Sequence, residues 1–178
     1  MPIDPELASA RAEVVREHMD SENRGDHDAT LETFSHPRYE LIGTGEVFDG
    51  EAEVRQYFAD TRTAFPDQRN TLTAMYQGVD AVMVEMLLEG THLGPLRGLP
   101  PTGKSFKCEM SAVFAFEPAG TRIVCERVYF DAGTILRQLG LASDPQSLRG
   151  KIETAIAHPV TVATALLRGA RSRKPAAP

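Results

Sequence analysis

A change of period partway along the chain limits the fold more than any other feature. Before Pro66 the apolar residues recur at helical spacing. From Gln68 to Asp131 they alternate as in strands. Asp4 and Pro5 suit the start of a first helix, which Leu7, Ala8, Ala12, Val15 and Met19 continue and Gly25 ends. A second helix is expected over Asp28 to Phe34, a short strand over Tyr39 to Ile42, and a third helix from Glu51 to before Phe65. Gly43-Thr-Gly45 and Asp49-Gly50 read as turns. Gln68–Tyr76, Ala81–Glu89, Ser105–Glu117 and Thr121–Asp131 then read as four successive strands, with turn signals at Val79-Asp80 and Pro118-Ala-Gly120. Helices followed by an antiparallel meander mean α+β, with helices packed on one face of a curved sheet.

The 178 residues suffice for one domain with a substantial core plus extensions. Beyond Gly140, Ser143-Asp-Pro145 leads into an apolar stripe of Ile152, Ile156, Val160, Ala163 and Leu167. Pro159 interrupts the stripe, so two short helices or one kinked helix are expected. The division is therefore a domain over 1–140 and a helical extension over 141–178, with a basic end at Arg168, Arg171, Arg173 and Lys174 and an unstructured tail. The net charge of −6 is spread along the chain and argues against a nucleic-acid binder. No apolar run is long enough to span a bilayer, so no membrane association is expected. Met1-Pro-Ile-Asp-Pro lacks the regions of a signal peptide. Cys108 and Cys125 lie in strands and read as reduced, buried thiols, so a cytoplasmic location is expected. The histidines show no paired ligand spacing, and neither a metal nor a cofactor is expected.

Two places draw attention as chemistry. Asp131 closes the apolar run Ile123–Asp131, where a carboxylate is costly unless paired, hydrogen-bonded or protonated. Gly133 separates it from the next apolar segment, and Thr134 is the better-placed helix cap, which weakens a purely capping role. On alternation Arg127 and Tyr129 share its face, while Glu126, Val128 and Phe130 take the other. A nearby Arg127 would hold Asp131 ionised, as a general base requires. The second place is the long connection Gly90–Lys104, with four glycines and three prolines, of the kind that forms lids. His92 sits at its start, on the face of Val84, Met86 and Leu88. It reads either as a histidine satisfied by a backbone carbonyl or as a donor to a substrate oxygen. Phe106, Cys108, Met110, Ala112, Phe114 and Phe116 form one face of the longest strand, either plain core or a pocket wall.

Gly90-Thr-His-x-Gly94, Gly98-x-Pro-Pro-Thr-Gly-Lys104 and Asp131-x-x-x-Ile-Leu-x-Gln-Leu-Gly140 together resemble the SnoaL-like polyketide cyclase family of the NTF2-like superfamily, over about Val14 to Gly140. The resemblance implies a cone, in which a curved antiparallel sheet wraps helices around an apolar pocket. It also implies homodimers formed through the outer sheet face. The implied activity is ring closure by intramolecular aldol condensation, or a related isomerisation, without metal or cofactor. By motif Asp131 is the implied proton-transferring residue and His92 its partner at the reacting oxygen. Tyr129, Arg127, Phe114 and Met110 are the expected substrate contacts, and a polyketide-like apolar small molecule is the expected ligand. The competing expectation is a protein that binds such a ligand without transforming it.

Overall fold

The computed structural model describes residues 4–172. It divides into two compact units after Leu139. The first helix, α1 (Pro5–Arg24), starts where the Asp4 carboxylate accepts the Glu6 amide at 2.9 Å, with Pro5 in the first turn. It stops at Gly25, whose φ of 72° is the left-handed cap conformation. After α2 (His27–Glu32) come β1 (Arg38–Leu41) and β2 (Glu46–Asp49), then α3 (Glu51–Ala64). Between the turn signals Gly43-Thr-Gly45 and Asp49-Gly50, where the sequence assigned no element, lies a short strand, β2, paired antiparallel with β1. β3 (Arg69–Gln77), β4 (Ala81–Thr91), β5 (Ser105–Phe116) and β6 (Ile123–Phe130) form the antiparallel meander the alternation predicts. α4 (Ala132–Gln138) follows directly.

The six strands run in the order β2-β1-β6-β5-β4-β3 in one curved, unclosed sheet. One pairing departs from the antiparallel expectation. β1 lies parallel to β6, with Tyr39 opposite Glu126 and Leu41 opposite Val128. Alternation sorts the faces. On β5, Phe106, Cys108, Ala112, Phe114 and Phe116 are buried. They join Val15, Phe34, Val54, Val82, Val84 and Ile123 in the core between sheet and helices. Burying each large apolar side chain is worth roughly 1.5–3 kcal/mol. Arg11, on the buried face of α1, ties the helix to two turns of the sheet. It donates to the carbonyls of Gly120, Val79 and Glu117 at 2.8–2.9 Å, and its guanidinium lies over the Phe116 ring.

The connection between β4 and β5 is a pinned strap. His92 and Lys104 close its base through the His92 amide and the Lys104 carbonyl at 2.9 Å. The amides of Leu93 and Gly94 both reach the Ala64 carbonyl at the end of α3. Leu96 and Leu99 bridge across its tip, where Arg97 takes a φ of 50°. Gly94 is required by this docking, because a Cβ there would lie 2.0 Å from the Thr63 carbonyl oxygen.

The second unit has two helices. α5 (Leu148–Ala157) is capped by Ser147, whose hydroxyl accepts the Gly150 amide at 2.9 Å. α6 (Pro159–Ser172) begins at the proline that breaks the apolar stripe. The basic end at Arg171, Arg173 and Lys174 and the tail 174–178 fall outside the residues whose side chains are described. Among the described residues no helix is long and apolar enough to cross a membrane.

Gly94→Ala is expected to destabilise the fold by about 1–3 kcal/mol through forced displacement of the strap. Gly25→Ala, where a Cβ meets nothing within 4 Å, should cost about 1 kcal/mol through the left-handed φ alone. Urea unfolding of both variants checks this; an unchanged midpoint for Gly94→Ala would refute the docking.

Candidate active site

The concave side of the sheet, α1 to α4 and the strap enclose a cavity of about 340 Å³. Its walls are mostly apolar: Met86, Leu88, Phe106, Met110, Val128 and Phe130 from the sheet, Ile135 and Leu136 from α4, and Leu96 and Leu99 from the strap. A few convergent polar groups in an apolar cavity are the usual constitution of a small-molecule site.

Three of the polar groups that line the cavity, Glu22, Tyr39 and Glu126, meet the buried His18 at the junction of three elements. His18 and Glu22 stand one turn apart on α1. Tyr39 on β1 and Glu126 on β6 are side by side through the parallel register. His18 is fully buried, its ring edge-on to Phe34 and Phe114 with centroids 5.3 and 5.2 Å away. The proton positions follow from the hydrogen bonds. Thr33 gives its hydroxyl proton to the Thr30 carbonyl at 2.6 Å, so His18 Nδ1, 2.9 Å from Thr33 Oγ1, must be the donor. Tyr39 gives its proton to Glu22 Oε1 at 2.8 Å, so His18 Nε2, 2.9 Å from the Tyr39 oxygen, must also be a donor. With a proton on each nitrogen, the ring is an imidazolium.

Electrostatics agree. Burial opposes the charged ring, but Glu126 and Glu22 outweigh it and raise His18 from 6.5 to about 9. Burial also acts to raise the Glu22 carboxyl, yet His18, Tyr39 and Arg62 pull it below the usual carboxylate range. For Glu126 burial prevails over the pull of His18, and the carboxyl is pushed above that range. Glu126 Oε2 lies 3.1 Å from His18 Nε2 but off the line of its N–H, and it is buried without a hydrogen-bond partner. One imidazole nitrogen and two carboxylate oxygens within 4.8 Å is a spacing a divalent cation also accepts. The hydrogen-bond pattern here leaves no lone pair on His18 and is that of the proton-loaded cluster.

The residues singled out by sequence are distributed differently. Met110 lines this cavity. Phe114 is fully buried behind it, among the core aromatics. Arg127 and Tyr129 are on the outer, exposed face of β6, because the residues that alternate inward are Glu126, Val128 and Phe130. Arg127 pairs with Glu40 at 2.9 Å and is not the ion partner of Asp131. That partner is Arg137, at 3.1 Å. Asp131 precedes α4 in the N-cap position, and its backbone carbonyl accepts the Thr134 amide at 3.0 Å. Its side chain is 61% exposed and borders a shallow outer groove with Glu109, Ser111 and Tyr129. The Thr134 hydroxyl, with Arg137 behind it, holds its carboxyl below the ordinary value. Ala132, the next residue, does line the cavity, so Asp131 stands just outside its wall. His92 is fully buried at the base of the strap, tilted against the cavity residue Phe65 at 5.5 Å. The Thr102 amide donates to its Nδ1 at 3.2 Å, so the proton sits on Nε2, which has no partner. No hydrogen bond joins Asp131 and His92 among the described residues.

The sequence reading passed over His18, Glu22, Tyr39 and Glu126 as site residues. Their signals were present. His18 and Glu22 follow Arg11 and Val15 along the buried stripe of α1, and Glu126 shares alternation with Val128 and Phe130.

A sequence model of the SnoaL-like polyketide cyclase family matches residues 12–139. Comparison with curated protein sequences gives no match. Among solved structures, IdmH from Streptomyces antibioticus is 26% identical with a TM-score of 0.63, covering 73% of this chain and 98% of its own. A protein of Jannaschia named after the same family is 19% identical with a TM-score of 0.70, covering 81% and 99%. An NTF2-like protein of Burkholderia pseudomallei is 19% identical with a TM-score of 0.63, covering 73% and 97%.

A folded-state value for His18 above its ordinary 6.5 stabilises the fold fully below pH 6.5, and this stabilisation is lost as pH rises through about 9. Unfolding free energy should therefore fall between pH 6 and 9.5, by up to about 3 kcal/mol from this group. His18→Gln should flatten that slope; equal slopes in both proteins would contradict a charged His18.

Proposed function

The chain belongs to the SnoaL-like polyketide cyclase family, and from that premise we propose that it is a small-molecule enzyme in which Glu126 moves a proton on a substrate held in the cone cavity. The observation that carries the proposal is the Glu126 carboxyl. Glu126 lines the apolar cavity, its carboxyl is pushed above the ordinary range, and its Oε2, buried 3.1 Å from His18 Nε2, has no hydrogen-bond partner. A carboxylate of raised pKa is a stronger base, and its conjugate acid can return the proton it takes. A carbon flanked by carbonyls is acidic enough for such a base. Glu126 takes the proton, the resulting enolate carbon bonds to a second carbonyl carbon of the same molecule, and the alkoxide oxygen takes the proton back. The product is an isomer of the substrate, and no co-reactant is consumed. His18, held charged by Glu126 and Glu22 and hydrogen-bonded to Thr33 and Tyr39, stabilises the ionised Glu126, while Glu22 balances the His18 charge. The apolar walls orient the substrate and exclude water.

Polyketide-like compounds are the proposed substrates, in keeping with the family and with IdmH, which carries a provisional polyketide cyclase assignment. A cytoplasmic homodimer working without metal or cofactor completes the proposal.

A second reading retains Asp131 and His92 as the reacting pair. The buried, unpartnered Nε2–H of His92 beside Phe65 favours it, as a donor that a substrate oxygen would satisfy. Single-site variants separate the readings. Glu126→Gln is expected to lower kcat by at least about 10²-fold, while Asp131→Asn stays within a few-fold of wild type. The reverse pattern, measured as cyclised product by mass-matched chromatography, would transfer the role to Asp131. A cavity ligand recovered unchanged from all forms would mean binding without chemistry. In the wild type, kcat should rise with pH through a midpoint above that of an ordinary glutamate.

A further inference from the structure

The cavity has a second polar region that proton transfer at Glu126 does not use. Arg62 near the end of α3, His27 at the start of α2 and Gln68 before β3 all line it. Arg62 is fixed by two backbone acceptors: Nη1 donates to the Gln68 carbonyl at 2.8 Å, and Nη2 donates to the Glu22 carbonyl. Neither acceptor carries charge, and among the described residues no carboxylate pairs with this guanidinium. The Glu22 carboxylate is already taken by Tyr39, His18 and Asn70. Arg97, the other arginine lining the cavity, is paired with Glu46. Beside Arg62, the His27 ring packs on Phe58 at 4.7 Å, and no side chain accepts from it among the described residues. Burial and the Arg62 charge keep that ring in its neutral form, which has one N–H to donate.

We propose that Arg62 and His27 form an anion subsite that takes a carboxylate at one end of the substrate. A guanidinium held by two backbone carbonyls, with N–H donors to spare and a charge that Glu22 feels without forming an ion pair among the described residues, is preorganised for the two oxygens of a carboxylate. A single such fork with one neutral imidazole suits one negative charge better than a phosphate. The substrate class that follows is a flat, largely apolar ring system carrying a carboxylate. Arg62 binds the carboxylate, and the acidic carbon lies toward Glu126. The inference rests on the cavity being the substrate site and extends that reading to substrate class.

The test is calorimetric binding of two probes, 2-naphthoate and 2-naphthamide, to the full-length protein. The wild type should prefer the carboxylate by about tenfold or more. Arg62→Gln should bring that ratio near one while leaving amide affinity within about twofold. Equal weakening of both probes would reduce Arg62 to a scaffold for the Gln68 and Glu22 carbonyls and overturn the subsite. Equal affinities in the wild type, or no binding of naphthoate, would also overturn it. His27→Gln leaves those backbone bonds in place and should lower the ratio about threefold; an unchanged ratio removes His27 from the subsite. Glu126→Gln should keep the carboxylate preference. A Glu126→Gln protein that both turns over normally and prefers naphthoate would retire the proton-transfer role and leave the anion subsite standing.

Discussion

The fold is organised around a positive charge kept in its core. An imidazolium with no solvent contact costs several kcal/mol to desolvate unless its surroundings answer it. Here α1 supplies the ring, α2 and the turn after it supply Thr30 and Thr33, β1 supplies Tyr39 and β6 supplies Glu126. Four separate segments must converge before His18 is satisfied. The cluster therefore ties α1 and the turn after α2 to β1 and β6. The parallel pairing of β1 with β6 serves the same end, because it brings Tyr39 level with Glu126.

Much of the architecture was legible in the residues. The period change at Pro66 separated helices from meander, and alternation along Ser105–Phe116 sorted the core face of β5. β2 escaped because its four residues lie between two turn signals whose glycines dominate so short a window. The parallel β1–β6 contact was beyond local pattern. It joins segments more than eighty residues apart, and nothing in either strand states its register.

The candidate site was half legible. Alternation on β6 assigned Glu126, Val128 and Phe130 to one face and Arg127, Tyr129 and Asp131 to the other, and the structure keeps that grouping through the end of the strand. What alternation could not say was which face is concave. The motif around Asp131 drew the choice outward, to a carboxylate that Arg137 and Thr134 hold in solvent. A glutamate in step with valine and phenylalanine is the carboxylate that alternation carries into the cavity wall, where burial raises its pKa. On α1 the apolar residues defined the helix, yet the informative positions were the polar ones on the same stripe, Arg11, His18 and Glu22.

The strap between β4 and β5 joins a multiply bonded base to a tip that lines the cavity. Its two amides share one acceptor, the Ala64 carbonyl, and its base is closed by two backbone bonds between His92 and Lys104 and between Gly103 and His92. A whole-strap swing would break all four bonds and pull on the last turn of α3. At the tip the backbones of Leu96 and Leu99 bond each other, and Arg97 reaches Glu46 at the protein surface. That tip, through Leu96, Arg97 and Leu99, is the part of the strap that lines the cavity, while Gly94 is held by its bond to Ala64. One wall of the cavity is thus two leucines and an arginine ion-paired to Glu46, carried on a base fixed by four backbone bonds.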